Sequence, residues 1–172
     1  MGRLKEHFHE TATKYAEEIK TLIKEHGETV IDQVTLAQVY QGMRGIVGLV
    51  TETSLLDAQE GIRFRGYSIP ELVEKLPHAE GGSQPLPEGL FHLMLVGEIP
   101  TEDDVEHLSA VFARRSHVPN YVFDAIEALP LHTHPMTQFG IAIMALQTES
   151  LFAKAYTEGI NKKEYWSYVY ED

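Results

Sequence analysis

The sequence predicts a mainly α-helical chain with one short β-hairpin near residues 49–67. Three observations carry this prediction. Apolar residues recur every three or four positions in several segments, which is the spacing of one helix face. Capping residues, prolines and glycines stand where these segments begin and end. Only residues 62–67 alternate with the two-residue period of a strand.

The first predicted helix covers residues 4–23, and Gly27 ends it. Its apolar stripe faces away from lysines and glutamates and consists of Leu4, Phe8, Ala12, Tyr15, Ile19, Leu22 and Ile23. A short helix follows around Leu36–Tyr40, and then comes the segment YQGMRGIVGLV. Its glycines recur every third residue, which is neither the dinucleotide fingerprint nor a P-loop. The spacing alone therefore favours a bend in the chain over a phosphate-binding loop.

The predicted hairpin pairs residues 49–56 with residues 61–67 across a turn at 57–61. In the second strand, Ile62, Phe64 and Gly66 face one side, and Arg63, Arg65 and Tyr67 face the other. Two arginines on one strand face can grip an anion. Salt bridges are the favoured interpretation here, because the chain offers many acidic partners.

Several helices are predicted after the hairpin. The first begins at Pro70, after Ser68 or Ile69. The second begins at Leu90, after a polar loop over residues 78–89, and ends at Gly97. Two more are predicted, one that begins at Thr101 and one around Tyr121–Leu129. The helix opened by Thr101 carries acids in its first turn, where they complement the helix dipole. Its buried stripe is predicted to consist of Val105, Leu108, Val111 and Phe112.

Residues 135–156 predict a long helix that is apolar around most of its circumference and is capped by Gly159. Such a helix is expected in a central core or in a subunit interface. A capping box of Asn161 and Glu164 then opens another helix. Lys162 and Lys163 fall in its first turn, where they form either an anion site or a pair of solvated cations.

Composition excludes several classes of function. The chain has 172 residues, no cysteine and a formal net charge of −12, which disfavours binding to nucleic acid or to an anionic membrane. No window approaches the roughly 20 apolar residues of a membrane span. His132 and His134 lack a third ligand at metal-site spacing, so hydrogen bonding at a helix entry is favoured. No metal site and no catalytic residue are predicted.

Four segments, taken in order, resemble the N-terminal part of eukaryotic, mitochondrial-type citrate synthases. They are GMRGIVGLVTETSLLDAQEGIRFRGYSIPE, PLPEGLFHLMLVGEIPTEDDVEHLS, LHTHPMTQFGIAIMALQTES and FAKAYTEGINKKEYWSYVYED. The resemblance implies an acyltransferase, the condensing enzyme of the tricarboxylic acid cycle, which makes citrate from oxaloacetate, acetyl-CoA and water. It also implies a helical large domain, here partial over residues 1–172, and a homodimer whose core includes residues 135–156.

The resemblance further implies two contacts to the phosphates of coenzyme A, which is a substrate and not a resident cofactor. An arginine of the family's GMRG segment corresponds to Arg44. An arginine after the family's EGIN segment, supplied by the partner subunit, corresponds to Lys162. Lysine keeps the charge but loses the bidentate fork, so weaker CoA binding is expected at this position.

The family's catalytic histidines and aspartate lie in later motifs, PLHG-type and GYGH-type, that do not occur here. His92, His132 and His134 do not replace them. The chain corresponds to about the first two-fifths of a family member, without the small domain, and is expected to be inactive alone. The resemblance implies a mitochondrial matrix location, although no transit peptide is visible. The alternatives are a non-catalytic half-length scaffold or interaction protein, and complementation by a separate C-terminal part.

Overall fold

A computed structural model describes residues 2–172, which fold into two units, one ending at Ala110 and the other covering Val111–Asp172. Both units are largely helical, which confirms the predicted fold class. No helix within residues 2–172 is both long enough and apolar enough to cross a lipid bilayer.

The first unit begins with a long helix and contains the chain's β-structure. Its elements are α1 Gly2–His26, α2 Leu36–Tyr40, β1 Ser54–Asp57, β2 Gly61–Phe64, β3 Tyr67–Ser68, α3 Ile69–Lys75, α4 Pro87–Val96 and the first part of α5 Glu102–Arg115. Most predicted helices are confirmed. α4 starts three residues before the predicted Leu90, because Pro87 already has the fixed φ of a first helical residue.

The second unit contains the remaining helices. They are α6 Asn120–Glu127, α7 Pro135–Leu146, a 3-10 helix Gln147–Glu149, α8 Leu151–Thr157, a 3-10 helix Lys162–Glu164 and α9 Tyr165–Glu171. The final residues hold this unit together. Arg115 donates to the Glu171 carboxylate at 2.8 Å and to the Glu171 carbonyl at 3.0 Å.

The predicted hairpin is present, with Ser54 opposite Phe64 across antiparallel strands β1 and β2. The predicted alternation through Tyr67 is wrong. Arg65 and Gly66 have φ values of 48° and 86° and form a two-residue turn. This turn folds the chain back, so that β3 pairs with β2 as a third strand, Tyr67 opposite Phe64.

The core of the first unit joins the sheet to α3 and α4. Leu72, Leu76 and Leu93 form its buried cluster, and Phe64, Tyr67, Leu90 and Ile99 pack against them. A hydrogen bond also joins the turn between β2 and β3 to α4, because Arg65 Nη2 donates to the Met94 carbonyl at 2.7 Å. That carbonyl belongs to the last turn of α4, where it has no partner within the helix.

The predicted stripe of α5 is confirmed at Val105, Leu108 and Val111, which are buried, whereas Phe112 is 39% exposed. A capping box starts this helix. The Thr101 hydroxyl accepts from the Asp104 N–H at 3.2 Å, and the Asp104 carboxylate accepts from the Thr101 N–H at 3.1 Å. The local sequence TEDD therefore fixes the start of α5 as predicted.

The single helix predicted for residues 135–156 is wrong, because the chain breaks between α7 and α8. Ser150 has a ψ of 120° and caps α8 by accepting from the Ala153 N–H at 2.9 Å. The Asp172 carboxylate completes the cap by accepting from the Leu151 N–H at 2.6 Å. A side chain from the far end of the segment thus stabilises the new helix start.

The apolar stripes of α1 and α7 are less buried than predicted. α7 has no buried residue, so it is not a core helix of the described chain. In α1, only Leu4 is buried. The exposed large apolar residues of these two helices are Tyr15, Ile19, Leu22, Ile23, Met136, Phe139, Ile143 and Met144. The sequence predicted either a core helix or an interface helix for this segment. Within the described chain, the exposure of the α7 side chains is compatible only with the interface.

Candidate functional site: two exposed cations

Arg44 follows a helix end whose geometry is set by glycine. The Met43 N–H donates to the Gln38 carbonyl at 2.8 Å, and the Gly42 N–H donates to the Val39 carbonyl at 3.3 Å. This pair of bonds is the Schellman motif, which places its C′ residue in the left-handed region. Gly42 has the required φ of 76°. The glycine thus ends α2 and turns the chain toward Arg44.

A second turn places Arg44 at a corner. The Ile46 N–H donates to the Met43 carbonyl at 3.3 Å, and Gly45, the third residue of this turn, has a φ of 72°. A positive φ at that position is the mark of a type II turn. Met43 also has a positive φ of 59°, which is costly for a residue with a side chain. Two glycines therefore shape this segment, as the bend interpretation predicted.

The Arg44 side chain is exposed and makes no hydrogen bond or ion pair within residues 2–172. The neighbouring arginines differ from it. Arg63 pairs with Glu60 at 3.0 Å, and Arg65 lies 3.9 Å from Glu52 while holding the end of α4. The salt-bridge interpretation of Arg63 and Arg65 is thereby confirmed. Arg44 is left as the guanidinium in this region that an external anion can reach.

Lys162 lies at the start of the 3-10 helix that precedes α9. Asn161 caps that helix as predicted, because its side chain accepts from the Lys163 N–H at 3.0 Å. The predicted reciprocal bond from Glu164 is not seen among the described residues. Instead, the Glu164 N–H donates to the Asn161 carbonyl at 2.9 Å, which tightens the turn into a 3-10 helix.

An aromatic cluster anchors this turn, and the sequence patterns did not reveal it. The Tyr165 ring lies 5.2 Å from the Phe152 ring, edge to face, and 5.9 Å from the Tyr156 ring. These contacts join the start of α9 to α8. Lys162 and Lys163 remain exposed next to the cluster. The cations thus stand on an anchored turn, with side chains free to extend into solvent.

The two predicted cations belong to different units, Arg44 to the first and Lys162 to the second. Within its unit, each is an exposed cation on a turn whose backbone is fixed by a cap. Such side chains can bind phosphate oxygens through charge-assisted hydrogen bonds.

One histidine of the predicted pair, His134, serves a structural purpose. His134 caps α7, because its Nδ1 accepts from the Met136 N–H at 3.1 Å. This confirms the helix-entry interpretation for His134. Within residues 2–172, no group of three or more histidine, aspartate or glutamate side chains is arranged to hold a metal ion.

Comparison with known proteins identifies the family. The family model described as "Citrate synthase, C-terminal domain" matches residues 42–171, which include both Arg44 and Lys162. That description names a C-terminal domain, whereas the motifs place the chain in the N-terminal part. The position of the chain within its relatives therefore stays a prediction.

Three curated relatives match 98% of the chain. They are the mitochondrial citrate synthase of Saccharomyces cerevisiae at 58% identity, the mitochondrial 2-methylcitrate synthase of Yarrowia lipolytica at 57%, and the mitochondrial citrate synthase of Neurospora crassa at 56%. The matched region is 35%, 36% and 36% of these relatives, so the chain spans about a third of their length. The chain belongs to the citrate synthase family.

Proposed function

We propose that this chain is the N-terminal part of a citrate synthase, which condenses acetyl-CoA with oxaloacetate and water to give citrate and CoA. The observation that carries the proposal is the 58% identity to a citrate synthase across 98% of the chain. In this proposal the chain contributes part of the large domain, part of the CoA phosphate site and helices of the dimer interface.

Arg44 and Lys162 are the proposed CoA phosphate contacts. The chain has a formal net charge of −12, so an anionic ligand needs local cations to overcome the overall repulsion. Arg44 meets this need because it is exposed and makes no ion pair within residues 2–172. Its planar guanidinium can form two parallel hydrogen bonds to one phosphate.

Replacing Lys162 with arginine is expected to strengthen CoA binding by the full-length protein. The guanidinium restores a bidentate fork, and a gain of about 1 kcal/mol corresponds to roughly fivefold tighter binding. Isothermal titration calorimetry with CoA measures the change. Lys154→Arg, an exposed position on α8, is the matched control and is expected to leave the affinity unchanged. An unchanged affinity of Lys162→Arg would count against this contact.

We also propose that α7 is part of a homodimer interface. Met136, Phe139 and Met144 are 65%, 58% and 78% exposed, which is a large apolar surface to leave in water. The 172-residue chain is therefore expected to self-associate, and size-exclusion chromatography with light scattering measures its mass. Phe139→Glu is expected to weaken the association, whereas Ser83→Glu, in an exposed loop, is not. A clean monomer at all concentrations would contradict the interface.

The 172 residues alone are proposed to be inactive, because the catalytic histidines and aspartate of the family belong to motifs that do not occur here. The test mixes the purified chain with acetyl-CoA and oxaloacetate and follows thiol release. Turnover at an enzymatic rate would overturn this part of the proposal. Adding a separately produced C-terminal part of the family protein tests whether the two parts complement each other.

The acyl substrate requires its own measurement. One relative at 57% identity is named a 2-methylcitrate synthase, and that product carries one methyl group more than citrate. An enzyme making it condenses propionyl-CoA in place of acetyl-CoA. Assaying the full-length protein with both thioesters gives the ratio of kcat/KM. A ratio in favour of acetyl-CoA supports the proposed reaction, and the opposite ratio supports the 2-methylcitrate reaction.

The alternative function is a non-catalytic scaffold or interaction protein derived from citrate synthase. It is favoured by the exposed apolar residues of α7, which offer a surface to a partner. The mass of the native protein distinguishes the two. A mass close to that of the relatives supports the enzyme, and a native mass of about 19.4 kDa per chain supports the scaffold.

We propose a mitochondrial matrix location, on the basis of the three relatives named as mitochondrial. Subcellular fractionation with an antibody against the chain tests this location. Recovery outside mitochondria would contradict it.

A further inference from the structure

A buried histidine lies where three helices of the first unit meet. His92, on α4, is 4% exposed and is the one buried polar or charged side chain within residues 2–172. Its Nδ1 makes no hydrogen bond there. Neither the CoA contacts nor the proposed chemistry uses this residue. Burial in such a place favours the uncharged form of the imidazole.

The surroundings of His92 contain titratable groups from every neighbouring element. A small cavity beside it is lined by Arg3, Leu4 and His7 from α1 and by Asp104, His107 and Leu108 from α5. The His7 ring lies 6.0 Å from the His92 ring, and His7 Nε2 lies 3.9 Å from the Glu98 carboxylate. The cavity holds about 20 Å³, which is room for one water molecule and excludes an organic ligand.

The same cluster anchors the first turns of α1. Leu4 is the one buried residue in the 25 residues of this helix. Arg3 bridges to Asp103 and to Asp104, the latter at 3.0 Å. The distal part of α1 is exposed. The one buried side chain of α1 and the Arg3–Asp104 ion pair therefore lie beside His92.

We propose that His92 is an acid-sensitive latch, in which protonation of its buried ring loosens the first turns of α1 from α4. A charge on the His92 ring is costly, because this ring is buried where α4 meets α1 and α5. His7 has the Glu98 carboxylate beside it as a counterion. His92 has no such partner at its Nδ1. Protonation of His92 therefore disfavours the closed arrangement, and the nearby Asp104 and Glu98 carboxylates offset only part of this cost.

The pKa shifts set the direction and the pH window. Burial lowers the pKa of His92 below its ordinary value of 6.5, and the nearby His7 lowers this pKa further. Asp104 and Glu98 act in the opposite direction and raise the pKa of His92, but they do not cancel the effect of burial. His92 binds a proton more readily in the unfolded or detached state than in the closed arrangement. Its contribution to the stability of the closed arrangement is therefore fully present above pH 6.5 and is lost as the pH falls toward the lowered pKa.

Asp104 stays ionised through this window. Burial raises its pKa, but hydrogen bonds from the Thr101 side chain and backbone, together with Arg3, lower it overall. The Asp104 carboxylate that pairs with Arg3 therefore keeps its charge while His92 titrates. A loss of α1 contacts that begins below pH 6.5 consequently reports His92 and not the Asp104 carboxylate.

Hydrogen exchange of the 172-residue chain, followed by mass spectrometry at pH 7.5 and 5.0, tests the latch. After correction for intrinsic rates, protection of α1 amides is expected to fall by up to about tenfold per pH unit below 6.5. In His92→Gln, this fall is expected to disappear. In His26→Gln, an exposed position at the end of the same helix, the fall is expected to match the unchanged chain. A fall that persists in His92→Gln, or no fall in the unchanged chain, overturns the proposal.

A second measurement, which needs no substitution, tests the proposal if His92→Gln does not fold. The imidazole carbon resonances of the unchanged chain, labelled with ¹³C-histidine, give the titration of His92 directly. A His92 pKa at or above 6.5 overturns the proposal, and a pKa below 6.5 that coincides with the loss of α1 protection supports it.

Discussion

Leu93→Ala is expected to lower the free energy of unfolding of the first unit by about 2–5 kcal/mol. Leu93 is 0% exposed and packs with Leu72 and Leu76 in the cluster that joins α3 and α4. Alanine removes three buried carbons and also leaves a cavity that the surrounding helices fill incompletely. Both losses act on the cluster that also receives Phe64 and Tyr67 from the sheet, so the hairpin is expected to loosen with it.

Urea denaturation followed by circular dichroism measures this loss, and hydrogen exchange assigns it to the first unit. Leu49→Ala is the matched control, because it removes the same atoms from a residue of the same unit that is 82% exposed. The control is expected to change stability by less than about 0.5 kcal/mol. Equal losses in the two variants would mean that the cluster is not the core of this unit.

The elements that the sequence predicted best are those fixed by neighbours in the chain. Thr35, Ser68 and Thr101 each cap a helix by accepting from the N–H three residues later, and each of these helices begins near the predicted residue. Proline at the first turns of α3 and α4 acts over the same short range. Capping chemistry of this kind is contained in four or five consecutive residues.

The wrong predictions concern two kinds of place. In one, a residue far away in the sequence fixes the local structure; in the other, the same residue types are compatible with both a strand and a turn. Asp172 caps α8 from 21 residues away, and the local cap at Ser150 lies between apolar residues that continue the helical pattern across the break. Arg65 and Gly66 continue the strand alternation by residue type, yet their positive φ values make a turn. The sequence therefore predicts where structure begins more reliably than where tertiary contacts interrupt it.

Burial was the property that local patterns predicted least well. An apolar stripe predicts that something will cover it but does not say whether the cover comes from the same chain. In α7, Met136, Phe139 and Met144 remain exposed within residues 2–172. Local patterns were also insufficient for the candidate site. The glycine spacing predicted only a bend in the chain, and the prediction that Arg44 contacts CoA came from the resemblance to the family.

Arg44→Ala is expected to weaken CoA binding by the full-length protein by about ten- to a hundredfold. A hydrogen bond between charged groups contributes about 1.5–3 kcal/mol, which corresponds to that range. Arg44→Lys keeps the charge but not the fork, so a smaller loss is expected. Because Arg44 is exposed and unpaired within residues 2–172, its removal is expected to leave the free energy of unfolding within about 0.5 kcal/mol.

Calorimetric titration at two salt concentrations distinguishes a phosphate contact from a general charge effect. Arg114→Ala removes the same group from an exposed position on α5 and serves as the control. If Arg44 binds phosphate directly, Arg44→Ala loses affinity at both low and high salt, because a hydrogen-bonded contact is screened less than a distant charge. Arg114→Ala then shows at most a small loss that disappears at high salt. Equal behaviour of the two variants would assign Arg44 to the general surface charge and remove it from the CoA site.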